Sequence, residues 1–178
     1  MTNYFDLYEQ PVRFSPDAAA VKTKFYELSR RYHPDRFTMA DDATRAEALR
    51  MSAMNNDAYK TLNSADALMA YILKLHGVLE EEEKYNLPPA FLMEMMDLNE
   101  TLSDYEMEPA NTGLQQQAQT MLQTQLQEWQ DAIAPLLDRF DNGDQSNELL
   151  LQIKDYYFRK KYLLRIQERM DTFASRNA

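Results

Sequence analysis

Cysteine is absent from this sequence of 178 residues, which excludes disulfide bonds and thiolate ligation of zinc or an iron–sulfur cluster by the chain itself. Glycine is scarce, with 3 residues, and no long run of β-branched residues occurs. Leucine, glutamine, glutamate, alanine and methionine are frequent instead, and these residue types favour helices over strands. We therefore expect an all-α protein.

The sequence also lacks a membrane-spanning stretch and a targeting segment. Its longest apolar runs fall far short of a membrane span. Residues 1–6 have neither the basic and apolar regions of a signal peptide nor the arginine-rich character of a transit peptide. We expect a soluble, cytoplasmic protein with no membrane partner.

The sequence has no excess of positive charge either, and its net charge is −10. Residues 1–75 are balanced, residues 76–108 carry a net charge of −9, and residues 109–178 carry −1. The strongly charged segment has the wrong sign for nucleic acid, so we expect no nucleic-acid partner. The four glutamates at 80–83 are expected to be solvated, within an acidic linker at 77–87.

The most informative residues that are present are His33, Pro34 and Asp35, which follow a basic amphipathic helix. One face of that helix is apolar and comprises Val21, Phe25, Leu28 and Tyr32, while the basic residues mostly lie elsewhere. Proline disfavours the helical conformation of the residue before it, so the helix should end at His33. The sequence therefore predicts a short polar loop at the end of a positively charged helix.

This arrangement resembles a J-domain, the module with which J-proteins stimulate ATP hydrolysis by DnaK-type chaperones. The similarity runs from about Tyr4 to about Leu75 and includes the stretches at 3–7, 32–37 and 56–62. It implies a domain at 1–76 built on a helical hairpin with the loop between its helices. By this resemblance the chaperone-binding residues are His33, Pro34, Asp35, Lys22, Lys24, Arg30, Arg31 and Arg36.

Two features depart from the J-domain pattern. Asn55 stands where J-domains usually carry an aliphatic residue, and a buried asparagine there needs hydrogen-bond partners or lowers stability. The stretch 63–68 also matches the family poorly.

The remainder of the chain is predicted to form an antiparallel bundle of three helices at 88–178. Gly77 offers a cap that ends the first domain. Pro88 and Pro89 can open a helix that continues to about Met107. A second helix should start near residue 114 and be kinked or ended locally by Pro135, and a third should cover about 148–173.

The helix at 89–107 is apolar over much of its circumference. Its inward stripe is predicted to comprise Phe91, Met95, Leu98, Leu102 and Tyr105. The residues Leu92, Met93 and Met96 face another direction, among Asp97, Glu100 and Asp104. Such a patch suits a protein partner because methionine adapts to irregular surfaces. The alternatives are that the linker or the first domain covers it, or that it is ordinary core.

The stretch Ala90-Phe91-Leu92-Met93-Glu94 is similar to the iron–sulfur co-chaperones of the HscB type, whose mitochondrial relatives include Jac. That resemblance implies an L-shaped, two-domain protein that binds an IscU-type iron–sulfur scaffold and delivers it to a DnaK/HscA-type chaperone. The scaffold-binding residues it implies are Leu92, Met93, Met96, Asp97, Glu100 and Asp104, with Phe158 added by a rough alignment.

We therefore expect a co-chaperone that has no catalytic residues, cofactor or metal of its own. An enzyme is the first alternative, but there is no histidine pair at i, i+4, no glycine-rich phosphate loop and no nucleophile motif. A J-protein adapter with an unrelated client is the second alternative. The sequence leaves the oligomeric state open, including a weak homodimer.

Overall fold

The protein is all-helical, as the composition predicts. The computed structural model describes residues 3–177, so Met1, Thr2 and Ala178, at the outer ends of the two predicted domains, lie outside the described residues. No strand occurs within 3–177. The helices are α1 (Tyr4–Leu7), α2 (Ala18–Arg31), α3 (Asp42–Leu62), α4 (Ala65–Leu75), α5 (Pro89–Glu94), α6 (Met96–Met107), α7 (Thr112–Asp141) and α8 (Asn147–Asn177), with a 3₁₀ turn at Pro34–Phe37.

The chain divides into two compact units, Met1–Gly77 and Val78–Ala178. In the first unit α2 and α3 pack as an antiparallel hairpin, with Phe25 stacked on Tyr59 at 4.0 Å between ring centres. The core beneath them is apolar and includes Phe5, Val21, Leu28, Ala58, Leu68, Ile72 and Leu73. Among residues 3–177, no helix is long and apolar enough to cross a membrane.

The ends of the helices in the first unit follow from local sequence. α2 ends at Arg31, and His33 is extended at φ −62° and ψ 131°, as the proline after it predicts. The stretch 63–68 forms a regular helix start despite its poor match to J-domains, because the Ser64 hydroxyl accepts a hydrogen bond from the Ala67 amide at 3.3 Å. Gly77 ends the unit at a φ of +71°, a conformation that glycine adopts without strain.

The second unit is a three-helix bundle, which confirms the predicted architecture. Asn99 on α6 contacts Tyr162 on α8, and Glu106 contacts Arg169 further along both helices, so α6 and α8 run in the same direction. Since short loops join α7 to both, α7 runs opposite to them. All five residues of the predicted inward stripe on α5 and α6 are at most 5 % exposed.

Two helix predictions for this unit need correction. The helix predicted at 89–107 is divided at Met95, whose backbone lies at φ −83° and ψ −5°. The Met95 amide still donates to the Phe91 carbonyl at 3.1 Å, and its carbonyl accepts from the Asn99 amide at 3.0 Å, so the chain continues in nearly the same helical path. Pro135 does not end α7, which continues to Asp141. Pro135 is on the exposed side of α7, where water can hydrogen-bond the carbonyl that lacks its helical partner.

The stretch predicted as an acidic linker packs within the second unit. Leu79 is 6 % exposed, and Glu83 forms an ion pair with Lys154 on α8. The other three glutamates of the run, at 80–82, are exposed, as expected for a solvated stretch. The pairing with Lys154 joins residues far apart in sequence, which is why the local charge run did not reveal it.

Candidate functional site

The predicted chaperone-binding loop lies at the C-terminal end of α2, and His33, Pro34 and Asp35 are all exposed. The His33 imidazole accepts a hydrogen bond from the Asp35 amide at its Nδ1 atom (3.3 Å), and the His33 carbonyl accepts one from the Arg36 amide (3.0 Å). These bonds fold the loop on itself. The Asp35 side chain remains 87 % exposed, so its carboxylate is available to a partner.

Basic side chains surround the loop. Arg36 donates from Nη1 to the Arg30 carbonyl at 3.2 Å, at the end of α2 where the helix dipole favours a cation. The Arg31 guanidinium lies over the Tyr32 ring at 5.4 Å. Arg30, Arg31 and Arg36 are exposed and present positive charge beside the loop, and Lys22 is exposed nearer the start of α2.

Lys24 differs from the other predicted basic residues because its charge is already paired. Its ammonium lies 3.1 Å from Glu9 and 3.4 Å from Glu27, and its side chain is 15 % exposed. The hydrogen bond with Glu9, followed by the contact with Glu27, raises the pKa of Lys24. Its positive charge is therefore offset locally by two carboxylates.

A buried hydrogen-bond network joins the two helices that carry the loop. Asn55, 1 % exposed, donates from Nδ2 to the Phe25 carbonyl (3.1 Å) and to Ser29 Oγ (3.0 Å) on α2. The Tyr8 hydroxyl donates to the Asn55 side-chain oxygen at 2.8 Å, and burial raises the pKa of Tyr8 well above its ordinary value. The hydrogen-bond partners that the sequence required for Asn55 are thus present.

The predicted client-binding patch is exposed on α5 and α6. Leu92, Met93 and Met96 are 41 %, 70 % and 63 % exposed, so they are not core residues of the bundle. The three neighbouring carboxylates, Asp97, Glu100 and Asp104, are exposed as well. Six of the seven predicted scaffold-binding residues are therefore exposed on these two consecutive helices, and we call the six the α5–α6 patch.

Phe158, the seventh, lies on α8 and is half-buried. Its ring stacks on Tyr85 at 4.4 Å between centres, with an angle of 4° between the ring planes. One helical turn further on, Tyr162 packs edge-on against Phe91 at 5.6 Å and accepts a hydrogen bond from Asn99 at 2.8 Å. Sequence analysis assigned no role to Tyr162, although its i+4 spacing from Phe158 would have placed the two on one face.

No group of three or more histidine, aspartate or glutamate residues placed to hold a metal ion occurs in the part of the chain that the structure describes. The half-buried His76 lies at the end of the first unit, and burial lowers its pKa.

Comparison with known proteins decides the family. Residues 87–171 match the family model of the HSCB C-terminal oligomerisation domain. A co-chaperone protein HscB homolog from Photobacterium profundum is 30 % identical over 176 residues, which cover 96 % of this chain and 98 % of that protein. The chain belongs to the HscB family of co-chaperones. A second HscB homolog, from Vibrio cholerae serotype O1, is 39 % identical over 101 residues, and this match spans 59 % of that relative's length.

Solved HscB structures share the fold. The crystal structure of human co-chaperone protein HscB has a TM-score of 0.74 at 26 % identity, over 96 % of this chain and 81 % of that one. Chaperone HscB from Vibrio cholerae has a TM-score of 0.72 at 25 % identity, over 99 % of both chains. The resemblance to HscB co-chaperones inferred from the sequence is therefore confirmed, as is the all-α fold of that family.

Proposed function

We propose that this protein stimulates the ATPase of a DnaK/HscA-type chaperone and delivers an IscU-type iron–sulfur scaffold to it, which aids cluster assembly and transfer. The observation that supports this most is the pairing of two exposed features in one HscB-family chain. One compact unit presents the His33-Pro34-Asp35 loop, and the other presents the α5–α6 patch.

The chaperone-binding half acts through charge. Lys22, Arg30, Arg31 and Arg36 form a positive surface that would attract an acidic face of the chaperone's ATPase domain and raise the rate of encounter. Lys24 contributes less, because Glu9 and Glu27 offset its charge. The loop then contacts the chaperone through His33, Pro34 and the exposed carboxylate of Asp35. Stimulation requires that the loop bind the hydrolysing state of the chaperone more tightly than its resting state.

The client-binding half acts through apolar contact bordered by negative charge. Leu92, Met93 and Met96 would be covered by the scaffold, and the carboxylates around them would select a partner with basic residues at the rim. In this proposal the scaffold also contacts Phe158 on α8. The protein performs no bond chemistry itself and has no resident metal or cofactor in this proposal; we place its action in the cytoplasm.

Replacement of Asp35 by asparagine tests the chaperone half. Asp35→Asn removes an exposed charge with little change in shape. Stimulation of the chaperone ATPase should fall about tenfold or more while scaffold binding is retained, since a close charge pair at an interface is worth about 1.5 kcal/mol or more. Asp57→Asn, another exposed carboxylate of the same unit, is the control and should stimulate normally. Normal stimulation by Asp35→Asn would disprove the role of the loop.

Truncation of the α5–α6 patch tests the client half. Leu92→Ala combined with Met96→Ala should weaken binding of the IscU-type scaffold about tenfold or more, measured by calorimetry, because buried anchors at an interface each contribute over 1 kcal/mol. Met107→Ala, at a methionine that is 74 % exposed beyond the patch, is the matched control. Full affinity of the double variant for the scaffold would contradict the role of the α5–α6 patch in scaffold binding. Tight binding of unrelated clients at the same patch would instead favour a general J-protein adapter.

A further inference from the structure

The segment 79–87 is attached to α8 at two places within the C-terminal unit. Glu83 pairs with Lys154, and the two side chains are 20 % and 12 % exposed. The Lys154 ion pair, with a hydrogen bond from the Glu80 amide, lowers the pKa of Glu83, so the carboxylate stays charged and paired. Charge pairs with this little exposure are screened less by solvent than surface pairs.

Tyr85 forms the second attachment, and both ends of its side chain are held. Its ring lies flat on Phe158, and its hydroxyl donates to Asp155 Oδ1 at 2.8 Å. Burial, followed by the bond with Asp155, raises the pKa of Tyr85 to about 12, so the hydroxyl remains a donor. The other oxygen of Asp155 accepts from Arg159 Nε at 2.6 Å, which fixes the acceptor in turn.

These contacts determine how Phe158 is presented. Tyr85 covers one face of the ring, Tyr157 meets the ring at 5.2 Å and 75°, and the Lys161 ammonium lies 5.7 Å from its centre. A phenylalanine on an open helix surface changes rotamer freely, whereas stacking on a tyrosine that is itself held by hydrogen bonds selects one orientation.

We propose that Tyr85 is a positioning residue of the client-binding surface: it acts through Phe158, whose ring it holds ready for the iron–sulfur scaffold. The inference rests on the proposed function, in which Phe158 contacts that scaffold. A side chain ordered before binding loses less conformational entropy when the partner arrives, so the affinity of the complex rises without any added contact. The segment 79–87 is then part of the client-binding domain and not only a connection.

A double-mutant cycle on the full chain tests this proposal, with binding of purified IscU-type scaffold measured by calorimetry. Tyr85→Leu should raise the Kd roughly three- to tenfold, the range that corresponds to one immobilised side chain. In a Phe158→Leu background the same substitution should change the Kd by less than about twofold, because the ring through which Tyr85 acts is gone. Tyr85→Phe keeps the stacked ring but loses the bond to Asp155, so its Kd should lie between that of the unmodified protein and that of Tyr85→Leu.

Phe173→Leu is the matched control for a general loss of aromatic packing. Phe173 is also half-buried on α8 and packs edge-on against Tyr105 at 5.1 Å, away from Phe158. Phe173→Leu should lower the melting temperature, as we expect for Tyr85→Leu, and leave the Kd within about twofold, because Phe173 lies about four helical turns beyond Phe158 on α8.

The outcomes separate this inference from the proposed function. If the unmodified protein binds no scaffold, both are overturned. If it binds, and Leu92→Ala with Met96→Ala weakens the complex, the proposed function stands. In that case three results would each overturn the role of Tyr85 while leaving the proposed function intact. They are an unchanged Kd in Tyr85→Leu, an equal rise in Kd in both backgrounds of the cycle, and a rise in Kd in Phe173→Leu as large as that in Tyr85→Leu.

Discussion

At the scale of single residues, Asn55 shows how a departure from a family pattern becomes intelligible only in the fold. An asparagine at an aliphatic position predicts either a weak point or a hydrogen-bond network, and the sequence does not reveal which. Its partners, the Tyr8 hydroxyl, the Phe25 carbonyl and Ser29 Oγ, lie 47, 30 and 26 residues away along the chain. Only the packing of α1, α2 and α3 brings them together.

The network predicts a specific stability change. Asn55→Ala removes the side-chain bonds to the Phe25 carbonyl, to Ser29 Oγ and from the Tyr8 hydroxyl, although that hydroxyl keeps a bond to the Asn55 backbone carbonyl at 3.1 Å. We expect the unfolding free energy of the first unit to fall by about 1–3 kcal/mol. Amide hydrogen exchange of α2 and α3 measures this unit by itself. Asn56→Ala, at the exposed neighbouring position on the same helix, should change the free energy by less than about 0.5 kcal/mol.

A second combination distinguishes a polar network from simple loss of volume. Asn55→Leu with Tyr8→Phe and Ser29→Ala replaces most of the network by apolar groups, so stability should recover to within about 1 kcal/mol of the unmodified protein. If the triple variant is as unstable as Asn55→Ala, the hydrogen bonds are not the reason for the loss.

At the scale of helices, the parts that sequence could predict are those with local causes. The end of α2 follows from Pro34, the start of α5 follows from Pro89 at its first position, and the buried stripe of α5 and α6 follows from helical periodicity. Each of these depends on residues within one or two turns of each other.

The parts that sequence missed depend on contacts between distant residues or on solvent. The segment 79–87 is attached to α8 through the pairs Glu83–Lys154 and Tyr85–Asp155, whose members lie about seventy positions apart in the sequence. The local run of glutamates does not indicate these contacts. Pro135 was expected to kink or end α7, and it does not end it: the helix continues to Asp141, since the exposed position of Pro135 lets water replace the missing hydrogen bond. The candidate sites divide in the same way: the loop and the α5–α6 patch are local, while the environment of Phe158 is not.

At the scale of the whole molecule, the two units have separate tasks in the proposed function, and one chain connects them. Linking two binding modules replaces a second bimolecular encounter by an intramolecular one, with an effective concentration on the order of millimolar for a short connection. Delivery therefore depends on both sites being on the same chain, whereas stimulation of the chaperone and binding of the scaffold individually do not.

A mixture of two variants, each defective in one of the two sites, tests whether delivery needs both sites on the same chain. Asp35→Asn has an intact patch, and Leu92→Ala with Met96→Ala has an intact loop, so together they supply both sites on different chains. At micromolar concentrations the mixture should show no more scaffold-dependent ATPase stimulation than the patch variant alone, because that concentration is about a thousandfold below the intramolecular value. The Asp35→Asn chains should instead lower the activity of added unmodified protein by occupying scaffold. Recovery of full activity in the mixture would mean that sites on separate chains cooperate, and the tethered delivery proposed for a single chain would then be wrong.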